Sequence, residues 1–203
     1  MKIAIIGATG NMGTRLVKEA TGRGHEVVAI SRTPEALKGP GVTPAAANTA
    51  DEAGLAAAFK GADAVVLSVK FQENDIKPTF AAARKAGVDR VIVVGGAASL
   101  MNADGVRLID QPGFPDFIKV EAAPAALGLE WIKANVKDLD WAFVSPSMML
   151  GPGERTTKYR HGKDHLLTAE DGKSSISYED LAHAILEELE HPRHHRERFT
   201  VGY

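Results

Sequence analysis

Gly7, Gly10 and Gly13 recur at every third position in Gly7-Ala8-Thr9-Gly10-Asn11-Met12-Gly13, directly after the apolar run Ile3-Ala4-Ile5-Ile6. A helical pattern opens at Thr14 and runs through Ala20. An unbroken apolar run is what a strand covered on both faces looks like. The spacing therefore predicts a buried strand, a tight turn and a helix. Gly7 allows a sharp exit from the strand, Gly10 has no Cβ to block a phosphate, and Gly13 lets the helix sit close on the sheet. A helix N-terminus carries unpaired N–H groups and the positive end of the dipole, so the diphosphate of a dinucleotide is the expected guest. The pattern is G-x-x-G-x-x-G rather than G-x-G-x-x-G, and its place between strand and helix gives it meaning.

A second residue carries chemistry. Glu26-Val27-Val28-Ala29-Ile30 reads as the second strand, and Ser31-Arg32 follows at its carboxyl end. An NAD site usually sets an acid there, on the ribose 2′-hydroxyl. Here Glu26 lies at the wrong end of the strand and Glu35 lies beyond Pro34. A guanidinium grips a 2′-phosphate through paired hydrogen bonds, so NADP(H) is expected in preference to NAD(H).

The elements that must position these residues follow in order. Val42–Ala47 is a weaker third strand, demoted by Pro44. Ala53–Lys60 is helical, Ala64–Ser68 is a fourth strand, Lys77–Ala86 a helix, and Arg90–Gly96 a fifth strand. Four alternations of strand and helix argue for an α/β fold, a doubly wound parallel sheet of Rossmann type with helices on both faces. Leu100–Asp116, with Gly105, Pro112, Gly113 and Pro115, reads as a long functional loop. Phe117–Lys133 is a helix that Pro124 should kink or break. Trp141–Ser145 is a sixth strand and Lys158–Thr168 a short hairpin. Ser177 to Asp180 resembles a capping box opening the helix Leu181–Glu190, and Arg198–Val201 is a final strand. With no linker or repeat, residues 1–203 are expected to form a single domain with a small irregular C-terminal substrate region.

The 203 residues are 44% hydrophobic and 25% charged, with net charge −2, so neither a nucleic-acid nor a membrane partner is expected. Cysteine is absent, which excludes disulfides and thiolate chemistry. Without a signal peptide or a long apolar span, the expected location is cytoplasmic. His191, His194 and His195, set among arginines, read as a solvated helix end, and no metal site is expected. Helix surfaces leave monomer and homodimer both open.

Ligands of an open α/β sheet lie beyond the carboxyl ends of its strands. That rule selects Gly7–Gly13, Ser31-Arg32, Asn48, Ser68-Val69-Lys70-Phe71, Gly95–Ser99 and Ser145–Met149.

The glycine turn, the Ser31-Arg32 strand end and Val93-Val94-Gly95-Gly96-Ala97 resemble the atypical short-chain dehydrogenase/reductase superfamily. Pro112-Gly113-Phe114-Pro115, Pro152-Gly153-Glu154-Arg155-Thr156 and Ile176-Ser177-Tyr178-Glu179-Asp180 are similar to its small NAD(P)H-binding branch of NADH-flavin reductases. That branch is related to NmrA-like proteins and flavin-reducing biliverdin reductases. The resemblance implies that Thr9, Gly10, Asn11 and Met12 hold the diphosphate and Arg32 the 2′-phosphate. It implies Asn48 at the adenine and Ser68, Val69 and Lys70 at the nicotinamide ribose. It also implies Gly95, Gly96, Ala97, Ser145 and Met148 at the nicotinamide. Relatives often carry an acid where Ala47-Asn48 stands. Asn48 is then expected to accept from the adenine amino group through its carbonyl oxygen, without charge assistance.

Tyrosine-dependent relatives place Tyr and Lys one turn apart on the helix after the fifth strand. Tyr159 and Lys163 have that spacing but follow the sixth strand, with Gly162 between them. The helix positions that match are Phe117 and Glu121, so no catalytic side chain is expected. Hydride transfer to a flavin (FMN, FAD or riboflavin), a quinone or a similar planar acceptor needs little proton help, and its main demand is two stacked rings in a dry cleft. Phe71, Ser99, Phe114 and Met149 are the candidate acceptor contacts. Met148 is available to the same lid, and Met149 reads equally well as a gap-filler. A non-enzymatic NADP(H)-binding sensor of the NmrA-like type is the competing expectation.

Overall fold

The computed structural model describes residues 1–203. Six strands of the first three-quarters of the chain are β1 (Lys2–Ile6), β2 (Glu26–Ser31), β3 (Val42–Ala46), β4 (Ala64–Leu67), β5 (Arg90–Val94) and β6 (Asp140–Pro146). The remainder are β7 (Met149–Gly151), β8 (Arg160–Gly162), β9 (Ser175–Ser177) and β10 (Glu197–Gly202). The helices are α1 (Asn11–Gly22), α2 (Glu52–Phe59), α3 (Lys77–Ala86), α4 (Asp116–Asn135) and α5 (Tyr178–Glu190). The main sheet runs β3-β2-β1-β4-β5-β6-β10-β8, while β7 and β9 form a separate parallel pair. Its pairings are parallel except that β8 runs antiparallel to β10. This is the doubly wound α/β fold expected from the alternation of apolar runs and helical patterns.

Successive residues of β1 feed opposite faces of the sheet. Ile3 and Ile5 join a core with Leu16 and Val17 of α1 and Leu181 and Ile185 of α5. Ala4 and Ile6 join a second core with Phe59 of α2, Phe80 of α3 and Ile132 of α4. That period of two is why β1 reads as uniformly apolar. Pro44 is accommodated because β3 is an outer strand, bonded to β2 alone in the main sheet.

Two local expectations are narrowed or changed. Of the two outcomes expected at Pro124 the break does not occur, since α4 runs unbroken over twenty residues. The carbonyl that the proline ring deprives of a partner belongs to Val120, which is 61% exposed, so water can take the freed acceptor. The segment 158–168 does not close on itself as a hairpin. Arg160–Gly162 instead pairs with β10, whose outer edge would otherwise present unbonded groups.

The cap of α5 is half of a capping box. Ser177 Oγ accepts from the Asp180 amide at 2.9 Å. The Asp180 carboxylate, instead of returning to the Ser177 amide, accepts from Thr156 Oγ1, the Thr157 amide and the Tyr203 hydroxyl. It thereby fastens the 152–158 loop to the helix start.

Candidate functional site

The order of strands reverses between β1 and β4, and the carboxyl ends of this pair open into a cleft of about 430 Å³. Its floor is the glycine turn. Gly7 has φ of +79°, and a Cβ there would lie 1.9 Å from the Ser68 carbonyl oxygen. A Cβ at Gly13 would lie 2.0 Å from the Gly7 oxygen, so α1 sits as close on the turn as backbone allows. Gly13 shapes the cleft from beneath without lining it. Gly10 is the N-cap of α1 and brings no side chain to its first amides, whereas Ser177 and Asp51 cap α5 and α2. No acid occupies the first turn of α1. An uncapped, uncontested helix start beside Thr9, Asn11 and Met12 fits a diphosphate.

Arg32 is exposed at the rim and engages no carboxylate. Ser31 Oγ beside it accepts from the Thr33 amide at 3.2 Å. The opposite wall is tied together. Thr49 Oγ1 donates to Asn74 Oδ1 at 2.7 Å, and Asn74 Nδ2 donates to the Lys70 carbonyl at 2.7 Å. Asn48 departs from its expected part. Its Oδ1 already accepts from the amides of Ala50 (2.8 Å) and Asp51 (3.1 Å), which leaves the NH₂ to face a ligand as a donor. Ser68, Val69, Lys70 and Gly95 line the cleft as the strand-end rule expects. Thr49, Glu73, Asn74 and Tyr178 line it too and were missed. Tyr178 had a local signal, the cap at Ser177, but only the packing of α5 against α1 brings it to the cleft. There the Arg15 guanidinium lies 5.5 Å from the centre of its ring.

A second hollow of about 250 Å³ adjoins the first, and Val69, Val94 and Gly95 belong to both. Twelve of its sixteen lining residues are hydrophobic. Phe71, Ser99, Phe114 and Met148 line it, and so do Gly96 and Ala97, which were expected at the nicotinamide. Gly95 has no room for a Cβ because the Phe143 ring would lie 2.0 Å away. A Cβ at Gly96 would meet nothing. The hollow also takes Leu108 and five residues of α4 that the sequence did not place at the site, Ile118, Glu121, Ala122, Ala125 and Ala126. The Glu121 carboxylate accepts from the amides of Phe71 (2.8 Å) and Gln72 (3.4 Å), pinning the turn that carries Phe71.

Two expected contacts lie elsewhere. Ser145 is 0% exposed and lines neither hollow, because β6 is sandwiched between β5 and β10 and covered on both faces. Met149 opens β7, and its pairing with β9 turns it to a separate surface hollow beside Pro152 and Tyr203.

Tyr159 lies outside both hollows, with its hydroxyl 2.7 Å from His183 Nδ1. Burial, with the charges of Glu187 and Asp180, pushes its phenol up to about 12. Lys163 is 72% exposed and reaches towards Glu197. His194 Nδ1 lies 2.8 Å from Glu188 and His195 Nδ1 3.0 Å from Asp140, each hydrogen-bonded to a carboxylate at the sheet's amino end. No helix is long and apolar enough to cross a membrane.

These features agree with comparison to known proteins. Residues 7–192 match the NAD(P)H-binding family. The chain is 39% identical over 212 residues to an uncharacterized Bacillus subtilis protein, YwnB, covering 99% of this chain and 98% of that one. A solved Burkholderia pseudomallei structure, provisionally named an exported protein, superposes with a TM-score of 0.91 at 42% identity, covering all of both chains. Another, from Streptococcus pneumoniae and provisionally named an NADH-flavin reductase, gives 0.83 at 31% identity, covering 100% of this chain and 99% of that one. With its glycine turn, open helix start and reversed strand order accounted for, the chain belongs to the NAD(P)H-binding family.

Proposed function

We propose that the protein is an NADPH-dependent oxidoreductase that reduces a flavin, a quinone or a similar planar acceptor. One observation carries the reading: a polar cleft shaped for a dinucleotide shares a wall, Val69, Val94 and Gly95, with a hydrophobic hollow. The name of the Streptococcus pneumoniae relative supports it. The free amides of Asn11 and Met12 hold the diphosphate, Arg32 the 2′-phosphate, and the Asn48 NH₂ donates to the adenine. When bound, the reduced nicotinamide supplies a hydride. The protein's own work is then to orient the acceptor and keep water out, with Phe71, Phe114 and Met148 as apolar faces. Tyr159 has no part in this, since its phenol is held by His183 away from both hollows and its raised pKa is the opposite of what proton donation by a tyrosine–lysine pair needs. A conjugated acceptor suits such a site because its ring spreads the charge it gains.

The test mixes purified protein with NADPH and, in turn, FMN, riboflavin and menadione, and follows the reduced-nicotinamide absorbance. Oxidation of NADPH with at least one acceptor, retained in Tyr159→Phe, is expected. Tight NADPH binding without turnover of any of them would remove the enzyme reading and leave an NADP(H)-binding sensor.

A further inference from the structure

Among the sixteen residues of the hydrophobic hollow, only Ser99 and Glu121 carry polar side-chain atoms. Glu121 accepts two backbone amides, as described above. Ser99 differs. Its Oγ accepts from Nη1 of Arg198 at 3.1 Å. Arg198 stands on β10 with its side chain 5% exposed, and its Nε donates to Asp164 Oδ1 at 2.8 Å, with Nη2 bonded to the same oxygen. A buried guanidinium held on one side by a carboxylate therefore spends its remaining arm on a serine that faces an apolar space.

The electrostatic consequence is directional. With one lone pair taken by a cation, the Ser99 hydroxyl is polarised, and its own O–H has no acceptor among the protein's hydrogen bonds. Charge-assisted bonds of this kind are roughly twice as strong as neutral ones, more so where water is excluded. Core packing alone does not call for a serine on an arginine at such a place. Burying a guanidinium costs several kcal/mol unless it is fully bonded, and valine or leucine would fill the volume without that cost.

We propose that the Ser99 hydroxyl is the acceptor-binding hydrogen-bond donor of the hollow, with Arg198 and Asp164 as its positioning residues. The ligand class follows: a planar ring bearing a carbonyl or enolate oxygen on which negative charge gathers, seated with that oxygen on Ser99. The inference rests on the function proposed above and narrows its acceptor. No proton leaves Ser99. It stabilises charge by hydrogen bonding, and the proton that completes a reduced acceptor comes from water.

A binding experiment independent of turnover tests it. The probe is 2-hydroxy-1,4-naphthoquinone, an anion at neutral pH, and naphthalene is the uncharged size control, each titrated against the full-length protein. Ser99→Ala is expected to weaken the anion by about ten- to a hundredfold, while naphthalene and NADPH affinities stay within about twofold. Ser99→Thr, which restores a hydroxyl, should recover most of the loss. Arg198→Met should weaken the anion in the same direction as Ser99→Ala, and the two changes together should cost little more than Ser99→Ala alone, since Arg198 acts through the Ser99 hydroxyl. Anion affinity unchanged in Ser99→Ala overturns the inference, and if the wild type still turns over quinones, the redox function stands without it. Anion binding that depends on Ser99 in a protein that oxidises no NADPH upholds the Ser99 assignment and removes the redox function instead.

Discussion

At the scale of single residues, the proposed preference for NADPH turns on the guanidinium at position 32. It stands one residue beyond β2 with no carboxylate of its own to satisfy, so a 2′-phosphate would meet an unspent charge. Arg32→Ala should weaken NADPH by about tenfold or more and NADH by less than about twofold, measured by fluorescence titration of each nucleotide. Equal losses would mean that Arg32 does not read the phosphate. The place of Arg32 at the cleft was legible because it is defined along one strand. Asn48 shows where such reading ends. Its residue type allows both donation and acceptance, and only the local turn, in which the Ala50 and Asp51 amides consume Oδ1, leaves the donor. Ser99 was legible as a strand-end residue, but its arginine lies ninety-nine positions away and no local pattern joins them.

At the scale of elements, α1 is the piece on which the cleft depends, and Glu19 is its main fastening away from the glycine turn. Glu19 accepts from both Arg155 and Arg23, and Arg23 continues to Glu187 of α5. Burial alone would raise the Glu19 carboxyl, but the two arginines outweigh it and hold the group at about 2. A folded-state value below the unfolded one stabilises the protein above about pH 4.5 and loses that contribution as pH falls towards 2. Glu19→Gln should therefore cost about 1–2 kcal/mol at pH 7. The gap from wild type, read from urea midpoints, should close between pH 5 and about pH 2.5. A gap independent of pH would assign the loss to packing instead. Elements with a strong hydrophobic pattern, β1, β2, β4, β5, α1 and α3, were legible in the chain, and so were the weaker β3 and the alanine-rich α2. Those set by tertiary surroundings were not: β8 pairs with the edge that β10 offers, and α4 continues past Pro124 where Val120 is exposed to water.

At the scale of the whole molecule, the strand-order reversal places the dinucleotide cleft, and the chain between β5 and β6 supplies most of the second hollow. Alternation of strand and helix announced the first. The second is assembled from short turns and from one face of α4, where small alanines at 122, 125 and 126 leave the space. An alanine run reads equally well as a tightly packed helix, so the cavity it leaves was invisible beforehand. The wall common to both hollows, Val69, Val94 and Gly95, makes them thermodynamic neighbours. Gly95 cannot take a side chain, because Phe143 occupies the place of its Cβ, so the edge that both hollows share keeps its backbone bare. An occupant on one side becomes part of the surface that an occupant on the other side covers. Their affinities must then be linked, and linkage is reciprocal. Saturating NADP⁺ should tighten 2-hydroxy-1,4-naphthoquinone by about fivefold or more, and the quinone should tighten NADP⁺ by the same factor. Calorimetric titrations run in both orders would close that thermodynamic square, and a factor of one would mean that the two compartments act as strangers despite the edge they share.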